Sequence, residues 1–176
     1  RTIADLAGED PLAAVGERLY TQEQRGDYEA VVCYSAATGA ELWLHQDETR
    51  FMEIVAGPGP RATPTFAAGR IYALGASGKL NCLDALSGKL VWTRDIATDT
   101  GAKPPTWGFS SSPRILGNQL ILEAGRVVSF DKLNGDILWQ TEIHEAGYGS
   151  AAVFQHGGKT LIATLDCEGL RIVDAT

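Results

Sequence analysis

One pattern is written three times in this chain and begun a fourth. Residues 33–46 read CYSAATGAELWLHQ, residues 82–95 read CLDALSGKLVWTRD and residues 129–142 read SFDKLNGDILWQTE. The tryptophans Trp43, Trp92 and Trp139 stand 49 and 47 residues apart, and the glycines Gly39, Gly88 and Gly135 keep the same steps. An acid precedes each turn at Asp84, Asp131 and Asp174, with Ser35 in the first copy. The last acid belongs to RIVDAT, at the end of the sequence. Several residue types recurring together every 40–50 residues mark a repeat array, which constrains the fold before any other feature does.

Each unit reads as four short strands, A to D in chain order. In the second unit these are ATPTFAA (62–68), GRIYALG (69–75), KLNCLDA (79–85) and KLVWTRDI (89–96). Alternating residues separated by short Gly-containing connections are hairpin signals, so the strands form an antiparallel meander. The Gly of TG, SG and NG is expected at positive φ in the C–D turn, where a Cβ is costly. Asp84 and Asp131 are expected to accept backbone N–H groups across that turn. The units fall at about 12–46, 60–96, 108–143 and 149–176, with three, four, four and three strands. The total is about fourteen strands, with no helix longer than two turns. No strand pattern precedes ERLYTQEQ, and RTIADLAGEDPL at the start has none.

A four-stranded unit cannot bury both of its faces alone. Packing such sheets radially around an axis solves this, so the expected fold is all-β, a β-propeller. The repeated Trp then lies between neighbouring blades, its indole N–H bonded to a backbone carbonyl next door.

The stretches LDALSGKLVW, FDKLNGDILW and YSAATGAELW resemble the tryptophan-docking motif of the pyrroloquinoline-quinone-type propellers. GPRATPTF followed by GRIYALGASGKLNCLDALSGKLVW resembles the uncharacterised bacterial branch of that family, and the likeness runs from about Leu12 onward. The resemblance implies a ring of seven or eight blades, of which 176 residues make about half. The remaining blades, or a partner protein, would complete it; a closed four-bladed ring is the alternative. It implies a periplasmic or extracytoplasmic place. For function it implies either a non-catalytic scaffold or accessory subunit for protein–protein interaction, or part of a quinoprotein alcohol or sugar dehydrogenase. The dehydrogenases hold pyrroloquinoline quinone with calcium, and no such ligand set carries over onto this sequence residue by residue. The expectation is therefore no cofactor, no metal and no catalytic residue.

Composition narrows the rest. With 44% hydrophobic residues the chain has a packed core to bury. A net charge of −7 argues against nucleic acid as a partner. No apolar run reaches the length of a membrane-spanning helix. Cys33 and Cys82 share one register position and read as small buried hydrophobes, while Cys167 falls on a B–C connection. Cys-x-x-Cys spacing is absent. His45, His144 and His156 share no spacing and read as surface or strand-end residues. The RGD at 25–27 reads as the polar B–C turn of the first unit, not as an adhesion signal.

Function is expected on the D-to-A connections. The C–D turns are short and uniform, whereas segments 45–61 and 96–110 are long and irregular. Long loops on a rigid scaffold are where binding residues concentrate. Arg61, Lys103, Trp107 and Tyr148 are the candidate binding residues, set on the same end as the B–C turns and suited to an anion or an acidic partner segment. Trp107 is the one Trp outside the repeat register, and the plain alternative is that it plugs a gap at a strand start.

Overall fold

The computed structural model describes residues 13–55 and 57–175. The patternless opening, residues 1–12, lies outside the described residues. Four antiparallel meanders follow one another. The first sheet holds β1 (Ala13–Val15), β2 (Arg18–Arg25), β3 (Tyr28–Ser35) and β4 (Glu41–Asp47). A small hairpin follows, β5 (Met52–Glu53) with β6 (Gly57–Pro58). The second sheet holds β7 (Thr65–Ala67), β8 (Arg70–Leu74), β9 (Lys79–Asp84) and β10 (Leu90–Asp95), and α1 (Ile96–Thr100) comes next. The third holds β11 (Arg114–Leu116), β12 (Gln119–Glu123), β13 (Val127–Asp131) and β14 (Ile137–Gln140). The fourth holds β15 (Ala152–His156), β16 (Lys159–Asp166) and β17 (Gly169–Asp174). These are blades of a partial β-propeller.

The first sheet corrects the sequence reading, which gave it three strands. Ala13–Val15 pairs with Arg18–Tyr20 across a tight turn. Three residues are too few to show alternation, so only pairing reveals this strand.

Alternation along each strand sorts side chains into three interfaces. Between the first and second sheets, Tyr20, Val31 and Cys33 meet Ile71, Ala73 and Leu83. Between the second and third, Tyr72, Leu74, Leu80 and Cys82 meet Leu120, Leu122, Val128 and Phe130. Between the third and fourth, Ile121 and Val127 meet Ile162 and Val173. Odd and even positions of one strand thus face different neighbours, which is why Ile71, Tyr72, Ala73 and Leu74 are all buried. Each fully buried Leu or Ile stabilises by about 1.5–3 kcal/mol relative to exposure.

The repeated motif sits at these interfaces. The Trp43 indole N–H donates to the Ala85 carbonyl of the second sheet at 3.1 Å, and Trp92 donates to the Lys132 carbonyl of the third at 3.1 Å. Each carbonyl also accepts a phenol, from Tyr20 and Tyr72 respectively, at 3.1 Å. Burial pushes both phenols up to about 12, so they are neutral donors. Arg18 and Arg70 add a third bond each, to the carbonyls of Leu86 and Leu133. Trp139 differs, donating to Gln119 Oε1 within its own sheet at 3.2 Å, while Gln119 Nε2 donates to the Ala175 carbonyl of the fourth at 3.1 Å. A register shift lies beside the Trp in all three sheets, between Cys33 and Tyr34, Leu90 and Trp92, and Ser129 and Phe130. Such bulges bend and twist a strand, which re-aims the side chains beside them.

The turn glycines do two jobs. Gly39, Gly88 and Gly135 have φ of 71°, 71° and 77°, the left-handed region. A Cβ on Gly88 would lie 2.6 Å from Trp43, and one on Gly135 would lie 2.8 Å from Trp92. Gly39 has nothing within 4 Å. Within the turns, Asp84 Oδ1 accepts the Ser87 N–H at 2.8 Å and Asp131 Oδ1 accepts the Leu133 N–H at 2.7 Å. Ser35 Oγ accepts the Thr38 N–H at 3.3 Å in the first copy. Asp174 instead pairs with Lys159 at 2.8 Å. Cys33 and Cys82 are buried and Cys167 is exposed.

Candidate interaction face

The D-to-A connections are more ordered than their sequences suggest. The first contains the β5–β6 hairpin, whose tip presents Ile54 and Val55 at 96% and 84% exposure beside exposed Met52. The Val55 N–H is held by Glu53 Oε2 at 2.7 Å. The second opens with α1. Asp95 caps it by accepting the Thr98 N–H at 2.9 Å, and Gly101 ends it at φ 73°.

Arg61 ties the two connections together. Its guanidinium lies 5.7 Å from the Phe51 ring centroid, and it donates to the Gly57 carbonyl at 2.7 Å and the Trp107 carbonyl at 3.3 Å. Gly108, at φ 80°, lets the chain press onto the second sheet, because a Cβ there would lie 2.9 Å from Ala76 and 3.0 Å from Phe51. The Phe109 N–H then donates to the Ala76 carbonyl at 2.9 Å, which joins this connection to the B–C turn at 75–78. The third connection behaves likewise, with the His144 N–H on the Gly125 carbonyl at 2.9 Å.

Trp107 meets Tyr148 from the next connection, ring centroids 5.2 Å apart and tilted by 36°. Both rings stay open to solvent, at 47% and 41% exposure. Arg61, Trp107 and Tyr148 therefore form one continuous surface drawn from three connections. Lys103 is exposed but makes no hydrogen bond or ion pair among the described residues, and it does not join the group.

His144 corrects the sequence reading, which placed it on the surface or at a strand end. Its side chain is 2% exposed, with Nε2 at 2.9 Å from Glu123 Oε2 and 3.8 Å from Asp166 Oδ2. Both carboxylates are buried, so the cluster fastens the third connection to two blades. Burial acts to raise the Asp166 carboxyl. The Arg171 guanidinium at 2.8 Å and the N–H groups of Glu168 and Gly169 outweigh it and hold Asp166 below the usual aspartate value. One sequence signal exists: Glu123 occupies the repeat position held by Leu74 in the second sheet, since Gln119 and Arg70 pair equivalently with Asp131 and Asp84.

A second buried acid fastens the first two sheets. Glu29 accepts the Ala76 N–H at 3.1 Å and the Ser77 hydroxyl at 3.3 Å. Burial raises its carboxyl against these two donors. Gly75 leaves room beneath it, since a Cβ there would meet Glu29 Oε2 and push the carboxylate aside. Among the described residues, no group of three or more His, Cys, Asp or Glu is placed to hold a metal ion, and no helix is long and apolar enough to cross a membrane.

Successive antiparallel meanders, with indole-to-carbonyl latches joining the first three, define the class: a quinoprotein-type, PQQ-like propeller repeat protein. A family model described as outer membrane protein assembly factor BamB matches residues 4–169, and the chain belongs to this family. Comparison with curated proteins gives no match. Among solved structures, the chain is similar to a europium-containing methanol dehydrogenase, with 19% identity, a TM-score of 0.56, and coverage of 74% of this chain and 24% of that one. It is similar to the quinohemoprotein alcohol dehydrogenase ADHIIG of Pseudomonas putida HK5, with 16% identity, a TM-score of 0.62, and coverage of 86% of this chain and 27% of that one. The computationally designed Ika4 protein matches with 12% identity, a TM-score of 0.65, and coverage of 94% and 89% of the two chains. The chain thus spans about a quarter of the length of these dehydrogenases. At such identities the likeness is one of fold.

Proposed function

We propose that the chain acts as a non-catalytic propeller scaffold that recognises a partner protein through the face built by its D-to-A connections. The observation behind this reading is the Arg61–Trp107–Tyr148 surface, flanked by the exposed hairpin residues Met52, Ile54 and Val55. Aromatic and arginine side chains dominate protein–protein hot spots, and clustered exposed apolar groups mark interaction sites. Arg61 adds a charge for an acidic residue of the partner. Lys103 lies in the same connection as Trp107 and is proposed as a rim contact. The family description, an assembly factor, agrees with a binding role and with an extracytoplasmic place. In this reading the chain is one propeller segment, with Trp43 and Trp92 as direct blade latches and Trp139 acting through Gln119.

The test is photo-crosslinking from position 107, with position 138 on the outer strand of the third sheet as control. A defined adduct from 107, competed by unlabelled protein and lost in Arg61→Ala, is expected. The same adducts from both positions would refute the proposal.

The second reading is part of a quinoprotein dehydrogenase, favoured by one feature: the half-exposed Trp107 indole in PPTWGF, which offers a flat apolar surface. Among the described residues, no group of three or more His, Cys, Asp or Glu comes together around such a surface. Stoichiometric binding of pyrroloquinoline quinone with calcium, read from the cofactor's absorbance on the protein, would favour it over the scaffold.

A further inference from the structure

β7, the start of β11 and the residues just before β11 and β15 enclose a cleft of about 260 Å³, lined by Thr65, Ser112, Pro113, Arg114, Ile115 and the Ser150–Ala151 pair. Its polar groups are committed in an unusual way. Ser112 Oγ accepts the Thr63 N–H at 3.0 Å, and Ser150 Oγ accepts the Ser112 N–H at 2.9 Å. Each oxygen already accepts one backbone N–H, and neither hydroxyl donates to another described residue. Thr65 spends its own proton on the Pro113 carbonyl at 2.5 Å. Arg114, first residue of β11, is exposed, and its side chain has no hydrogen bond or ion pair among the described residues. Among the described residues, no acidic one lines the cleft, although the chain carries a net charge of −7.

We infer that this cleft is a binding site for a small oxyanion of the carboxylate or phosphate class. A guanidinium presents paired N–H donors that match such an anion, and Ser112 and Ser150, which line the same cleft as Arg114, can supply further donors. Among the described residues, no carboxylate in the lining competes as a charged acceptor. The volume lies below the range of pockets for drug-sized ligands, which limits the occupant to a small molecule or a single acidic group. The cleft is tied to the aromatic surface by its own chain segments. Ser110 Oγ donates to the Tyr148 carbonyl at 2.9 Å, two residues before the Ser112–Ser150 contact. The inference stands without the scaffold reading, since it uses none of the exposed aromatic residues.

The protein is titrated with sodium phosphate and, separately, with sodium acetate, at ionic strength held constant with sodium chloride. Backbone amide signals are followed by nuclear magnetic resonance. Saturable shifts confined to Ser112, Arg114, Ile115, Ser150 and Ala151 are expected with at least one of the two anions, and the tighter one assigns the class. Arg114→Gln, at an exposed position, should keep the remaining spectrum and weaken binding about tenfold or more. Ser150→Ala should weaken it less. Shifts that rise linearly with both anions, that chloride reproduces, or that persist unchanged in Arg114→Gln would overturn the inference.

Discussion

Replacing Gly88 with Ala separates two costs that usually arrive together. The first is conformational: Gly88 has φ 71°, and an L side chain in the left-handed region costs about 1–2 kcal/mol. The second is steric. The new Cβ would sit 2.6 Å from Cε3 and 2.7 Å from Cδ2 of Trp43, a rigid ring pinned by its bond to Ala85. Overpacking of this kind costs about 1–3 kcal/mol. Gly39 supplies the control, because it has the same φ of 71° and a Cβ added there would meet nothing within 4 Å. Gly39→Ala should therefore cost only the conformational part, and Gly88→Ala about 1–3 kcal/mol more. Urea unfolding followed by far-ultraviolet circular dichroism measures both without relying on tryptophan emission. Adding Trp43→Ala removes the ring, so the extra cost of Gly88→Ala should vanish in that background. Equal losses for Gly39→Ala and Gly88→Ala, or an extra cost that survives Trp43→Ala, would refute the reasoning.

Trp92→Phe and Tyr72→Phe each remove one of the two donors to the Lys132 carbonyl, and each should cost about 1 kcal/mol beyond packing. The double variant should cost more than their sum, because the carbonyl then loses both donors; strict additivity in urea titrations would count against this. His144→Ala should destabilise by about 1–3 kcal/mol, since Glu123 loses its buried partner, and amide exchange should quicken first at 141–149. For Asp166 the folded carboxyl is depressed, so its stabilisation is present above the unfolded value and lost as pH falls through the folded one. Unfolding free energies measured downward from about pH 4 should fall less steeply in Asp166→Asn than in the parent.

Legibility in the sequence follows repetition. Gly88, Trp92 and Asp84 are readable because the same physical demand is written again 47 residues later. The hairpin at Met52–Pro58 and the five-residue α1 occur once, and neither is long enough for periodicity to register. Arg61, Trp107 and Tyr148 stand out individually as loop residues. Their meeting depends on Gly108 and on inter-blade contacts that no local pattern encodes. His144 escapes the sequence for a related reason: its partners lie 21 and 22 residues away, on other elements. An acid at the Leu74-equivalent position is the only trace, and it becomes visible only once the strands are aligned by pairing.

The Tyr and Trp latches from the first sheet to the second, and from the second to the third, point one way along the chain. A sheet offers Tyr, Trp and Arg donors on one side and receives its predecessor's donors at its own turn carbonyl and glycine on the other. Such a unit is a plug with a socket behind it, and its contacts are heterologous, head to tail. Duplicating the second unit in tandem would preserve every latch, because the inserted socket matches the plug before it and the inserted plug matches the socket after it. Growth of the array by gene duplication therefore keeps the latch and asks only the apolar faces to repack, and rotation per unit decides whether the added copies close into a ring or continue as an open spiral.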